Sequence, residues 1–216
     1  VYLKPENPNY QNILFTDETR LVAKMVKKNP ITPEQNKNNA NNAEAWKPYY
    51  EKPKFKLFNA NCIDVLAKLP ENSVDMVFAD PPYLLSNGGF TVHAGRRVSV
   101  NKGEWDKSNG LKKDFEFHLK WIKAIRRILK PHGTIWISGT YHSIYQCGFA
   151  LQDSGFHILN DIAWFKPNAS PNLSCRYFTA SHETLIWARK DKEARHNFNY
   201  ELMKNGNWPE DFIKKP

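Results

Sequence analysis

The run Val74-Asp75-Met76-Val77-Phe78-Ala79-Asp80-Pro81-Pro82-Tyr83 decides the fold class of this 216-residue chain. Its first six residues are mostly apolar and predict a buried β-strand. Asp80 follows at once, and two prolines then prevent the strand from continuing. Ligands of open α/β sheets bind at the carboxyl ends of the strands, so a carboxylate and a tyrosine here indicate a site. A plain strand-ending turn is the alternative interpretation.

Strands and helices alternate on either side of this run, which favours an α/β fold with a mainly parallel sheet. The predicted strands are Phe55–Asn59, Thr134–Ser138, Phe156–Phe165 and Glu183–Arg189. The predicted helices are Cys62–Leu69, Asp114 to about Lys130, and Tyr141–Ser154. Pro131-His132-Gly133 is expected to end the second helix, and Gly155 the third.

The first 53 residues have a different character from the rest of the chain. Asn29–Asn42 is crowded with asparagine around two prolines and is expected to be a linker. Thr16–Thr19 predicts the start of a short helix over Arg20–Lys28. The predicted organisation is an extension at residues 1–53 and a catalytic domain at residues 54–216.

Positive charge is concentrated in one part of the chain. The net charge is +9, and Leu84–Lys130 has seven Lys and four Arg against two Asp and two Glu, or +7. Phosphate groups would neutralise such a segment, so the pattern favours a nucleic-acid partner. We expect a mobile, poorly packed loop facing nucleic acid between about Ser86 and Gly110, with four cations that its phosphates would neutralise: Arg96, Arg97, Lys102 and Lys107. A solvated helix face with a loop is the alternative.

Other classes of protein are disfavoured. The three cysteines, Cys62, Cys147 and Cys175, are scattered and form no CxxC pair, which argues against a metal site or a disulfide framework. No apolar stretch approaches the roughly 20 residues of a membrane span. The sequence shows no apolar leader segment, so a cytoplasmic location without membrane contact is expected.

Four blocks together resemble one enzyme family, the DNA amino-methyltransferases. The first is Val77–Tyr83 with the following Leu84–Gly89, and the second is Val100–Lys107, which contains Gly103-Glu104-Trp105-Asp106. The others are Lys166–Phe178 and His182-Glu183-Thr184. They occur in the family's order within Lys54–Met203, and the pattern is similar to the second adenine methyltransferase of Dpn-type GATC restriction systems.

The resemblance implies a Rossmann-like methyltransferase sheet with helices on both faces and S-adenosylmethionine as cofactor. It implies adenine-N6 methylation of DNA in a restriction-modification system, in GATC, with a functionally linked restriction enzyme; a homodimer stays open. Asp80, Pro81, Pro82 and Tyr83 would be catalytic. Asn61 and Cys62, with Asp80, would lie near the cofactor, although Asn61 also suits a helix cap. Arg176 would contact DNA, or else form an ordinary salt bridge.

The residue types at the strand end suit this chemistry. An exocyclic amine is a poor nucleophile because its lone pair is delocalised into the ring. The Asp80 carboxylate and the Pro81 carbonyl can each accept an N–H from the amine and so direct its lone pair at a methyl group. The base must first leave the duplex, and Tyr83 can stack on it.

Two blocks of the family are absent. The Phe-x-Gly-x-Gly loop that approaches the cofactor and the block before it do not occur in this sequence. The sheet is therefore expected to lack about three C-terminal strands, and the sequence to be a fragment, because an open sheet edge would aggregate. A non-catalytic nucleic-acid-binding remnant is the main alternative. Cytosine-N4 methylation and an RNA substrate are further ones.

Overall fold

The computed structural model describes residues 12–16, 20–24, 47–93, 96–172 and 175–205. The strands of this part of the chain are β1 (Asn12–Thr16), β2 (Arg20–Lys24), β3 (Tyr50–Lys52), β4 (Phe55–Asn59), β5 (Val74–Asp80), β6 (Phe90–His93), β7 (Arg96–Ser99), β8 (Leu129–Gly139), β9 (His157–Phe165) and β10 (His182–Arg189). The helices are α1 (Cys62–Lys68), α2 (Leu111–Ile128), α3 (Ile144–Asp153) and α4 (Tyr200–Asn205), and a short 3₁₀ turn spans Glu104–Asp106. The predicted α/β class is confirmed.

Eight strands form one central sheet in the order β3-β4-β1-β2-β5-β8-β10-β9, and β6 pairs with β7 in a separate hairpin. Only β2–β5 and β5–β8 are parallel pairs in the described part; the other neighbours are antiparallel. The prediction of a mainly parallel sheet is therefore wrong there. Hairpins such as β9–β10 add antiparallel strands, because a chain that turns straight back must pair antiparallel.

The core lies on one face of this sheet. Strand residues that alternate along β5, β8 and β10 point to that face, among them Val77, Ile135 and Ile186. Buried side chains of α1, α2 and α3 join the same core, and α2 contacts both α1 and α3. On the opposite face Trp136 and Trp187 stack with ring centroids 5.0 Å apart. Helices α1, α2 and α3 thus pack on the first face, whereas His196 and Phe198 contact Trp187 on the second.

The predicted helix over Arg20–Lys28 is wrong for Arg20–Lys24. These residues form β2, which pairs with β1 and lies parallel to β5. The backbone hydrogen bonds of a neighbouring strand here override a weak local helix preference. Three strands of the predicted extension, β1, β2 and β3, thus belong to the central sheet, while the predicted linker Asn29–Asn42 lies outside the described residues. The boundary after residue 53 stays a prediction.

Pro131-His132-Gly133 is expected from the sequence to end helix α2, but these residues lie in the strand after it. Helix α2 ends at Ile128, and the three residues lie inside the long strand β8. The β5–β8 register shifts between Val74 and Met76, where β8 passes through this segment. An irregular ladder tolerates a proline because its missing N–H is not needed there. Gly155, at φ 78°, follows α3 as expected.

Candidate active site

Asp80 is the last residue of β5, and the neighbouring parallel strand β8 ends beside it. The Ser138 hydroxyl donates a 2.8 Å hydrogen bond to Asp80 Oδ1. Both strands run in the same direction, so their carboxyl ends meet at one edge of the sheet. Ser138 is buried and Asp80 is half-buried. The predicted carboxylate is therefore held in a fixed orientation at the edge where ligands of such sheets bind.

Tyr83 follows two buried prolines and points toward β10. Its hydroxyl lies 3.3 Å from Glu183 Oε2, and Lys102 Nζ lies 5.7 Å from the ring centroid. Burial, and then the neighbouring Asp80 charge, raise the pKa of Tyr83, so the phenol stays neutral. The same Glu183 pairs with Lys166 at 3.4 Å. The predicted ring is thus tied to the start of β10 by a hydrogen bond.

The segment after Tyr83 is held by a buried carboxylate, Asp106. Asp106 Oδ1 accepts a hydrogen bond from the backbone N–H of Leu84 at 3.0 Å. Its Oδ2 accepts one from the backbone N–H of Leu85 at 3.2 Å and one from the Ser86 hydroxyl at 2.9 Å. Leu84 has a φ of 61°, a left-handed conformation that a leucine rarely adopts unless its surroundings impose it. Asp106 is 1% exposed. Three donors on one buried carboxylate therefore fix the turn that follows Asp80–Tyr83.

The expectation of a poorly packed loop from Ser86 to Gly110 is wrong at the base of this segment. Ser86 and Asp106 are both buried, and the Ser86 hydroxyl also accepts the Lys102 N–H at 2.7 Å. The glycine and serine content suggests poor packing, but hydrogen bonds between side chains and backbone order this segment. The β6–β7 hairpin extends from this base, and Arg96 on β7 is exposed.

Much of the predicted basic segment is neutralised within the protein. Five of its eleven cations have internal partners: Lys107 pairs with Glu104, Lys123 with Asp153, Arg126 with Asp191, Arg127 with three carbonyl groups at the end of α1, and Lys130 with Asp75. Arg127 stabilises the last turn of α1, where carbonyl groups have no helical partner. The net charge of +7 therefore overstates the charge that DNA would neutralise, and Lys107 already has a partner.

Asn61 and Cys62 lie at the start of α1. The Asn61 side chain accepts the Ile63 N–H at 2.9 Å, which confirms the cap interpretation. Cys62 is 1% exposed and belongs to the core, and burial raises the pKa of its thiol to about 12. The β4 strand before α1 runs parallel to β5, so Asn61 lies at the same edge of the sheet as Asp80, with β1 and β2 between the two strands. The structure therefore does not bring Asn61 next to Asp80.

The chain between β9 and β10 also leaves the sheet at this edge. The backbone N–H of Lys166 donates to the Ser181 carbonyl at 2.7 Å and closes the loop. Arg176 is exposed on it. The sequence did not predict that Lys166 belongs to the site or that Asp106 holds the turn after Tyr83. The acidic residue at the end of the Gly103–Asp106 block was the only signal for the second.

The described residues hold no cluster of three or more metal-ligating side chains. Among the helices of the same residues, none has the length and apolarity to cross a membrane. The candidate site thus consists of ordered strand ends with an oriented carboxylate, Asp80, and a nearby tyrosine, Tyr83.

Comparison with known proteins gives the family. The family described as DNA methylase (N6_N4_Mtase) matches residues 74–215, and the chain belongs to it. Type II methyltransferase M2.DpnII of Streptococcus pneumoniae is 54% identical over 162 residues, 74% of this chain and 60% of the relative. M2.MboI of Moraxella bovis is 51% identical over 163 residues, with the same two shares. The chain thus spans about 60% of the length of these relatives.

A solved structure, that of the M1.HpyAVI complex with S-adenosylmethionine, aligns at a TM-score of 0.44 with 24% identity. The alignment covers 66% of this chain and 57% of that one.

Proposed function

We propose that the chain carries the catalytic face of a DNA adenine-N6 methyltransferase of a restriction-modification system, with GATC as its target. Membership of the DNA methylase family and the M2.DpnII and M2.MboI likeness support the class. The observation that carries the proposal is Asp80, oriented by Ser138 at the end of β5. DNA substrate implies action in the cytoplasm, alongside a cognate restriction enzyme.

The residues present fit an S-adenosylmethionine cofactor only in part. Asn61 lies at the sheet edge that also carries Asp80. Cys62 does not fit as a side-chain contact, because its thiol is enclosed in the core. When bound, S-adenosylmethionine supplies the methyl group. In this proposal Asn61 would lie near the cofactor, and Asp80, Pro81 and Tyr83 would hold the target base.

Asp80 and Pro81 activate the amine in this proposal. The carboxylate and the Pro81 carbonyl accept the two N–H groups, which aligns the nitrogen lone pair and places the developing positive charge beside a carboxylate. Ser138 holds the carboxylate in place through its hydrogen bond. Tyr83 supplies a flat face for the flipped adenine, and its neutral phenol lets the ring remain half-buried.

Cytosine-N4 methylation is the second candidate, because the matched family covers both N6 and N4 enzymes. The same two acceptors would hold a cytosine amine. Asp80 favours adenine, since the cytosine-N4 group more often has serine at this place.

The test is methyl transfer from labelled S-adenosylmethionine to a GATC duplex by wild-type protein and by Asp80→Ala. We expect the variant to fold and to lose activity by a factor on the order of 10²–10³ or more. A duplex with GATC changed to GTAC is the substrate control. Wild-type transfer to cytosine would establish the second candidate, and no transfer by the wild type would favour a nucleic-acid-binding remnant.

A further inference from the structure

The loop between β9 and β10 presents an exposed aromatic side chain beside the candidate active site. Phe178 is 97% exposed and the adjacent Tyr177 is 71% exposed. Trp164 and Phe165, at the end of β9 where the loop begins, are 51% and 65% exposed. Single exposed apolar groups are ordinary on protein surfaces, but a cluster of large ones marks an interaction site.

The loop emerges at the edge of the sheet that carries Asp80. Thr184 on β10 pairs with Gly139, the last residue of β8, so the start of β10 and the end of β8 are neighbours. Glu183 reaches the Tyr83 hydroxyl at 3.3 Å. The Lys166–Ser181 backbone hydrogen bond closes the base of the loop within the same region. A ligand that reaches Asp80 therefore lies beside this loop.

The chemistry of the loop favours nucleic acid over a protein partner. Residues 166–181 contain Arg176 and Lys166, of which Lys166 pairs with Glu183, and no Asp or Glu. Arg176 is exposed next to Tyr177 and Phe178, and Lys166 Nζ lies 3.0 Å from the Trp164 ring centroid. Aromatic faces combined with cations are the features that bind stacked bases and phosphates together.

Local hydrogen bonds connect Cys175 and Tyr177 to Asn172 on this loop. The Asn172 side chain donates to the Tyr177 carbonyl, and the Cys175 N–H donates to the Asn172 carbonyl at 3.2 Å. Cys175 has a left-handed φ of 53°, which turns the chain at this point. A loop that already has internal hydrogen bonds loses less conformational entropy on binding than a flexible loop. Phe178 is thus presented to solvent by a turn that already has its own hydrogen bonds.

We propose that Phe178 enters the DNA duplex and fills the place that the target base leaves when it flips out. This inference rests on the proposed function, because only an enzyme that acts on a flipped base needs such a group. Flipping exposes stacked faces above and below the gap, and an apolar side chain inserted there restores stacking contacts. A phenyl ring has no hydrogen-bonding groups, so it fills the gap without reading the sequence. Tyr83 and Asp80 then receive the base.

The test is binding of Phe178→Ala to two duplexes that carry 2-aminopurine in place of the target adenine. One has thymine opposite and the other an abasic site, where the target is already unpaired. We expect the variant to bind the paired duplex about tenfold more weakly than wild type, or about 1.4 kcal/mol, with a smaller rise in fluorescence. The loss on the abasic duplex should fall below about threefold.

Matched variants keep the result interpretable. Phe178→Trp should restore binding because it retains a large flat ring. Phe149→Ala removes another exposed phenylalanine, at 60% exposure on α3, and should bind both duplexes like wild type. Equal losses of Phe178→Ala on both duplexes, no loss on either, or a changed oligomeric state would overturn the proposal. These binding measurements are separate from methyl transfer. If the wild type methylates GATC but Phe178→Ala does not show the expected difference between the two duplexes, only this inference is refuted.

Discussion

Ser138 Oγ and Asp80 Oδ1 are 2.8 Å apart, and this hydrogen bond joins the ends of two neighbouring parallel strands. Neither residue is close to the other in sequence. The pairing of β5 with β8 places them side by side, and the hydroxyl donates because the carboxylate can only accept. The geometry explains how a carboxylate at a strand end keeps one orientation.

Removing the Ser138 hydroxyl should slow methyl transfer. A hydrogen bond to a charged group is worth about 1.5–3 kcal/mol, so Ser138→Ala is expected to lower turnover by about tenfold or more. The measurement is single-turnover methyl transfer. Ser143→Ala is the matched control, because the buried Ser143 hydroxyl has no hydrogen-bond partner among the described residues. A Ser138→Ala variant with normal turnover would contradict the positioning role.

Tyr83 should act through its ring. Tyr83→Ala is expected to lower turnover more than DNA binding, since stacking on a base is worth roughly 1–3 kcal/mol. Tyr83→Phe and Tyr83→Trp should retain most activity, because the bond to Glu183 is long at 3.3 Å and contributes little. Turnover and duplex affinity are measured for all three variants. If Tyr83→Phe lowers turnover as much as Tyr83→Ala, the hydroxyl group matters more than the ring.

Asp106 should be needed for turnover as well as for stability. Asp106→Asn puts an amide where three donors converge, so we expect a loss of roughly 1.5–3 kcal/mol in the free energy of unfolding. It should also lower kcat, because Leu84 follows Tyr83 directly.

Asp114 offers the control for this prediction. It is also 1% exposed and accepts the Ser108 hydroxyl and the Asn109 N–H, which lie outside the Leu84–Ser86 turn. Asp114→Asn should lower the free energy of unfolding while leaving kcat near wild type. If both variants lose stability alike and neither changes kcat, Asp106 is structural only.

The hairpin arginines should contribute charge without reading sequence. Arg96→Ala with Arg97→Ala is expected to weaken binding to GATC and to shuffled DNA equally. The slope of log affinity against log salt should flatten by up to about two phosphate contacts. Lys123→Ala is the control, because Lys123 pairs with Asp153. An unchanged slope in the double variant would mean that these side chains are only solvated, and a selective loss on GATC would mean that they read bases.

The sequence by itself determined the strand-and-turn at Val74–Tyr83, the order of the main elements after Lys54 and the family. Local apolar patterns and a four-block motif carry that information, because each depends on neighbours along the chain. The strand bounds shifted by a few residues at most for β4, β5, β9 and β10. The role of Asn61 as a cap also followed from its position before an amphipathic helix.

Only the tertiary structure decided which groups surround Asp80. Ser138, Glu183 and Lys166 come from three later parts of the chain, and only the strand order brings them to one edge of the sheet. The same holds for the charges: Arg126 and Arg127 look available to DNA in the sequence, yet they bind carboxylate and carbonyl groups far away in the chain. Pairing across a sheet and packing of helices depend on residues distant in sequence, and no local pattern encodes those contacts.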